Sequence, residues 1–187
     1  MQIEETRLAG VLILTPSRFG DQRGFFSETW NRKVLAEAGI LADFVQDNIS
    51  VSTHAGTLRG LHFQSPPHAQ TKLVRCGRGR MLDVAVDIRR GSPSFGHWVG
   101  VELSFQNGRQ LLIPAGFLHG LLTREPDTEI VYKCSDYYAP ECEHAVRYDC
   151  PQIGVDWGLE GAAPVLSARD AAAPGLAGLD SPFVYER

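Results

Sequence analysis

Cysteine is scarce in this chain and poorly placed for cross-linking or metal binding. Cys76, Cys134, Cys142 and Cys150 form no C-x-x-C pair, which argues against a zinc ribbon or a redox motif. Free thiols in a reducing compartment are the expectation. Long apolar runs are missing too, and none has the length needed to span a bilayer. The opening Met1-Gln2-Ile3-Glu4-Glu5-Thr6 lacks the basic start and apolar stretch of a signal peptide. A cytoplasmic location with no membrane partner is therefore expected. Positive charge is not in excess: 18 Lys and Arg stand against 22 Asp and Glu, a net charge of -4. That balance gives no electrostatic footprint for nucleic acid, although a local basic pocket can still hold a phosphate. Internal repeats and a second-domain boundary are also absent. What is there, 187 residues with 43% hydrophobic and 21% charged content, suits one globular domain over residues 1–187.

Short β-type runs separated by turn residues dominate. Residues 10–16 carry Val11-Leu12-Ile13-Leu14, and residues 46–52 carry Ile49 and Val51. Residues 72–76 turn through Gly77-Arg78-Gly79 into residues 81–88, where Leu82, Val84, Val86 and Ile88 alternate with Asp83, Ala85 and Asp87. Residues 98–104 and 110–114 flank Asn107-Gly108, a strong hairpin signal. Residues 129–138 read as a further strand. Strands at this spacing predict a mostly-β fold, a sandwich or jelly-roll barrel with a few short helices. One such helix is predicted with Ser27 or Thr29 as its cap, an apolar stripe of Trp30, Val34, Leu35 and Ala38, and Gly39 as its stop. Ser167-Ala168-Arg169-Asp170 is expected to open a helical turn before Pro174.

Chemistry concentrates in two segments. The first is Arg59-Gly60-Leu61-His62-Phe63-Gln64, followed after Pro66-Pro67 by Ala69-Gln70-Thr71-Lys72. The second is Ile113-Pro114-Ala115-Gly116-Phe117-Leu118-His119-Gly120. Strict alternation would put Arg59 and His62 on opposite faces of a strand. A bulge at Gly60 would bring them to one side, a device common beside active sites. The second segment resembles the P-x-G-x-x-H motif of the cupin superfamily. Metal-binding cupins add H-x-H and a following glutamate, whereas this chain has His62-Phe63-Gln64. His62 and His119 are too few ligands for a metal centre, and Lys72 would repel a cation. No metal is expected.

These segments, together with Asp83-Val84-Ala85-Val86-Asp87, Ser92-Pro93-Ser94-Phe95-Gly96, Tyr132-Lys133-Cys134-Ser135-Asp136-Tyr137-Tyr138 and Leu166-Ser167-Ala168-Arg169-Asp170, closely resemble the dTDP-4-dehydrorhamnose 3,5-epimerase family. The resemblance implies a cupin-type jelly roll acting on a dTDP-4-keto-6-deoxy sugar. The ketone acidifies the neighbouring ring carbons, so a base can form an enolate and an acid can return a proton to the opposite face. Oxidation state is unchanged, so no cofactor is implied. By resemblance His62 is the base, Asp170 its partner, Tyr132 the acid and Lys72 the group that stabilises the enolate. An imidazole's ordinary pKa of about 6.5 suits proton abstraction at neutral pH.

The same resemblance makes Arg23, Glu28, Gln46, Asn48, Arg59, His119, Tyr138, Glu143 and Arg169 substrate-binding positions. Guanidinium groups at Arg23 and Arg59 suit the diphosphate, and Tyr138 suits stacking on thymine. Arg169 replaces the lysine of many relatives and keeps the cation. Phe25-Phe26 is placed at the same site, contributed by a neighbouring subunit. A homodimer with exchanged N-terminal strands is implied, and the apolar run Val11 to Leu14 is consistent with it. Two other readings compete: an epimerase of one carbon only, acting on a related dTDP-4-keto-deoxysugar, and a non-catalytic or metal-binding cupin.

Overall fold

In the computed structural model, which describes residues 1–186, thirteen strands build two facing antiparallel sheets and one small ribbon. They are β1 (Gln2–Glu5), β2 (Leu12–Thr15), β3 (Phe19–Asp21), β4 (Gly24–Phe26), β5 (Gln46–Ser52), β6 (Leu58–Gln64) and β7 (Lys72–Arg78). There follow β8 (Arg80–Asp87), β9 (Trp98–Ser104), β10 (Gln110–Ile113), β11 (Phe117–Thr123), β12 (Thr128–Cys134) and β13 (Glu143–Ala145). The larger sheet runs β1-β2-β10-β7-β12-β5, the smaller β13-β6-β11-β8-β9, and β3 pairs only with β4. This is the jelly-roll layout expected of the sequence.

Three apolar layers hold the sheets. Val74, Met81, Ala85, Leu103, Leu111, Phe117, Leu121 and Ile130 come from both sheets and fill the space between them. The outer face of the smaller sheet offers Leu58, Leu61, Phe63, Val84, Val86 and Leu118, and the C-terminal segment covers it with Val146, Ile153, Trp157 and Leu176. The outer face of the larger sheet is capped by Leu35 of α1 (Arg32–Glu37), packed with Leu14, Leu73 and Leu112. Full burial of one such aliphatic side chain is worth about 1.5–3 kcal/mol.

The alternation in β8 therefore has an unexpected sense. Its continuous apolar row, Val84, Val86 and Ile88, faces the C-terminal segment rather than the inter-sheet core. The row holding Asp83 and Asp87 faces inward with Met81 and Ala85, and both aspartates are fully buried. Arg89, Ser92 and Ser94 hydrogen-bond the Asp87 carboxylate.

Three local expectations are corrected. The α1 cap is Asn31, whose side chain accepts from Lys33 N and Val34 N. Ser27 instead donates to Ser17 O, and Thr29 O accepts from Gln110 Nε2. Asn107-Gly108 makes a turn with Gly108 at φ +64°, yet no hairpin results: β9 belongs to the smaller sheet and β10 to the larger. Here the Asn107 side chain accepts from Ser104 N and Arg109 N, closing a link between sheets. Finally, β12 ends at Cys134, short of Tyr138. The Val11 to Leu14 run is used inside the chain, where β2 pairs with β1 and β10 and Leu14 is fully buried. Gly39 (φ +81°) does end the first helix, and Ser167 opens α2 (Ala168–Ala171) as expected.

Candidate active site

Side chains that point between the sheets near one end of the barrel enclose a cavity of about 260 Å³. That is slightly below the roughly 300–1,000 Å³ typical of sites for drug-sized ligands. It suits a single ring better than a whole sugar nucleotide. The smaller sheet supplies Arg59 and His62 from β6 and His119 from β11; the larger supplies Lys72 from β7, Tyr132 from β12 and Ser50 from β5. Ser167, Arg169 and Asp170 of the C-terminal segment close one side.

The β6 irregularity explains how Arg59 and His62 meet. Pairing of β6 with β11 slips between His119 and Leu121, opposite the Arg59–His62 stretch. Leu58 and Leu61, three residues apart, both face outward, and Arg59 and His62 both line the cavity. Gly60 sits at φ +118° with its backbone against Gly120, where an added Cβ would fall 2.6 Å from Gly120 Cα. Only glycine fits so close a crossing.

Two imidazole–carboxylate pairs stand side by side. His62 Nε2 lies 2.6 Å from Asp170 Oδ1. Burial would raise the Asp170 carboxyl, but hydrogen bonds from His62, Ser167 and the Gly60 backbone outweigh it and leave Asp170 below the ordinary carboxylate range. His119, directly opposite His62 in the ladder, places Nε2 2.7 Å from Asp83 Oδ1. Asp83 is the site residue that sequence reasoning missed. The acidic positions alternating with apolar ones in β8 were its signal, since an acid facing inward in a barrel strand needs a partner.

The opposing wall carries Lys72 and Tyr132. Burial lowers the Lys72 ammonium from its ordinary value, against the opposing pull of the charges of Cys134, Glu143 and Asp83. Burial likewise raises the Tyr132 phenol, which keeps it protonated at neutral pH. At the mouth Glu143 accepts from Tyr138 Oη at 2.7 Å and from Arg169 at 2.6 Å. Gln46 accepts from Tyr138 N and donates to Asn48. Asn48 in turn reaches the buried thiol of Cys134. Arg23 and Glu28 are not in this group: Arg23 pairs with Asp21 in the exposed β3–β4 ribbon, and Glu28 accepts from Asn31. Within one chain they do not line the cavity. Among the described residues no three His, Cys, Asp or Glu side chains gather as a metal site, and each histidine of the cavity is engaged by its own aspartate.

The family model of dTDP-4-dehydrorhamnose 3,5-epimerase matches residues 5–178. The chain belongs to that family. Its likeness to curated dTDP-4-dehydrorhamnose 3,5-epimerases runs nearly end to end. One from Sinorhizobium fredii is 47% identical, covering 99% of this chain and 94% of that protein. One from Salmonella typhimurium is 50% identical, covering 93% of this chain and 94% of that protein. A crystal structure of a dTDP-6-deoxy-D-glucose-3,5-epimerase from Legionella pneumophila, in complex with dTDP-4-keto-L-rhamnose, superposes with a TM-score of 0.94. It is 46% identical and covers 100% of this chain and 99% of its own. Family membership makes the chain an epimerase by class and its barrel a cupin-like jelly roll.

Proposed function

We propose that this epimerase converts dTDP-4-dehydro-6-deoxy-D-glucose to dTDP-4-dehydro-L-rhamnose by inverting carbons 3 and 5. The observation that carries the reading is a single cavity with the His62–Asp170 pair on one wall and Lys72 and Tyr132 on the other. Asp170, as a carboxylate, accepts from Nε2 of His62, so the imidazole proton sits there and Nδ1 keeps a free lone pair. That nitrogen takes a proton from a carbon next to the ketone. The C–H pair becomes part of the carbon–carbon double bond, and the carbonyl pair moves onto oxygen as an enolate. The Lys72 ammonium faces this negative charge. The Tyr132 phenol, on the opposite wall, returns a proton to the other face of the carbon, and solvent restores it. Acid–base help of this kind is worth roughly 10²–10⁴-fold, and a donor at a developing oxyanion about 10²–10³-fold.

The cavity takes the sugar ring, and the nucleotide lies along the mouth. Arg59 and Arg169 pair with the diphosphate, Tyr138 stacks on thymine, and Gln46, Asn48 and Glu143 orient the base and ribose. His119 contacts the sugar. Arg23 and Glu28 reach the site from a second copy, which makes the working unit a homodimer. Phe19, Phe25 and Phe26, at 67%, 46% and 70% exposure on the ribbon, support such an interface, since a monomer rarely exposes adjacent large aromatics. The whole chain serves as one epimerase unit, and four free thiols support a reducing, cytoplasmic setting.

The test couples the protein to a 4-ketoreductase and NADPH with dTDP-4-keto-6-deoxyglucose as substrate. Formation of dTDP-rhamnose is expected, with deuterium from heavy water entering both ring carbons. Label at one carbon alone would instead identify a single-carbon epimerase.

A further inference from the structure

The Asn107-Gly108 turn, which joins the two sheets instead of making a hairpin, carries a contact that the reaction proposed above does not use. Arg18 stands at the root of the β3–β4 ribbon and reaches across to that turn. Its Nη1 donates to Gln106 O at 2.8 Å, and its Nη2 donates to Phe105 O. The guanidinium also lies over two rings, 4.3 Å from the centroid of Phe25 in β4 and 5.4 Å from that of Phe105. The two ring centroids are themselves 5.8 Å apart. Gly108 leaves room for this clamp, since a Cβ there would fall 2.8 Å from Arg18 Nη2.

The ribbon needs such an anchor. β3 pairs only with β4, and every residue of both strands is exposed. A two-stranded ribbon by itself is marginally stable in water. Its root is closed by Ser27, which donates to Ser17 O at 2.9 Å. The turn that Arg18 grips is held in place by Asn107, which accepts from Ser104 N and Arg109 N and donates to Glu102 O. Two charge-assisted hydrogen bonds to fixed carbonyls, with a cation–π contact beside them, keep an exposed arm in one pose. An arm ordered in advance loses less freedom when it enters a binding site.

We infer that Arg18 is a positioning residue, which sets the ribbon so that Arg23 and the Phe25-Phe26 pair reach the nucleotide held by a second copy of the chain. The inference rests on the homodimer reading above, in which the ribbon completes the neighbouring site. Arg18 itself touches no substrate. Its removal leaves His62, Lys72 and Tyr132 of the same chain in place and weakens binding at the other chain's cavity. The effect therefore falls on KM rather than kcat, and on the neighbouring site rather than its own.

The experiment is steady-state kinetics with dTDP-4-keto-6-deoxyglucose, coupled to a 4-ketoreductase and NADPH. It is run on homodimers and on mixed dimers isolated through distinct affinity tags. Arg18→Ala is expected to raise KM about tenfold with little change in kcat, and the retained kcat shows that the barrel has folded. Phe105→Ala, which removes one ring and keeps the carbonyls, should raise KM by less, and it decides the matter if Arg18→Ala does not fold. A mixed dimer of Arg18→Ala and His62→Ala chains joins the sound ribbon of one chain to the sound cavity of the other. It should show the wild-type KM and about half the wild-type kcat, because one site of the pair is intact. An unchanged KM in the Arg18→Ala homodimer, or a raised KM that persists in the mixed dimer, overturns the inference. A mixed dimer of Arg23→Ala and His62→Ala chains is the control. Activity restored there, with KM still raised in the Arg18→Ala pair, overturns the clamp alone. Activity in neither pair overturns the homodimer reading with it.

Discussion

At Lys72 two requirements oppose each other. In the proposed reaction it must carry a positive charge to meet an enolate, yet it is buried, and burial lowers its pKa from the ordinary lysine value of about 10.4. The ammonium is therefore lost on the alkaline side earlier than for an exposed lysine. Tyr132 moves the other way, raised by burial. We expect kcat to fall on an alkaline limb whose midpoint lies below 10.4, measured as a pH–rate profile. Lys72→Arg should be slower by about 10²-fold, since the planar guanidinium cannot place its charge where the ammonium sits. It should also lose that limb, because arginine does not deprotonate. A limb unchanged in Lys72→Arg would assign it to another group. His62, Lys72 and Tyr132 were legible in the sequence chiefly through their motifs. The Asp170 partnership was not deducible from spacing, since 108 positions separate it from His62. Asp83 went unassigned because a period-two pattern does not say which of two buried faces is the inner one.

Among the elements, β6 and α2 set the geometry of the His62–Asp170 pair. A Cβ at residue 60 would collide with backbone of β11, at 2.6 Å from Gly120 Cα and 2.7 Å from His119 O, and φ +118° disfavours any side chain. Neither neighbour is a flexible side chain that can swing away. Gly60→Ala should therefore destabilise the protein by several kcal/mol, of which roughly 1–3 kcal/mol is backbone strain, and should remove nearly all activity. Chemical denaturation with a parallel rate assay checks both. Helix α2 has four residues, and its cap is Ser167, which accepts from Asp170 N at 3.0 Å. Ser167→Ala should cost about 1 kcal/mol, a fall in Tm of roughly 2–4 °C for a chain of this size. Because the same bond steadies Asp170, kcat should drop severalfold with KM little changed. Most of the longer strands were legible because turn residues punctuate the chain so regularly, whereas the short β1, β3, β4 and β13 were not. The Asn107-Gly108 turn misled because a tight reversal is local, whereas the sheet each strand joins is decided by distant partners.

For the molecule as a whole, the open question is which chain completes the site. Arg23 and Glu28 lie outside the cavity of their own chain, so the homodimer proposal makes a sharp prediction. Co-expressed Arg23→Ala and His62→Ala chains should recover activity that neither homodimer has. Random pairing makes half the dimers mixed, each with one intact site, so about a quarter of wild-type activity is expected. No recovery, with mixed dimers verified by mass spectrometry, would place Arg23 outside the reaction. The apolar run Val11 to Leu14 gives no support to an exchange of strands, since it is satisfied by β1 and β10 of its own chain. Buried runs look alike whichever chain covers them.

One consequence of the C-terminal cover lies in the order of the chain. Both sheets are complete in sequence at Ala145, yet Asp170 comes only later in the chain, with α2. A chain cut between those points keeps the residues of every strand and lacks the carboxylate that pairs with His62. Cleavage that released the late segment would therefore silence turnover and bare the apolar outer face of the smaller sheet as well.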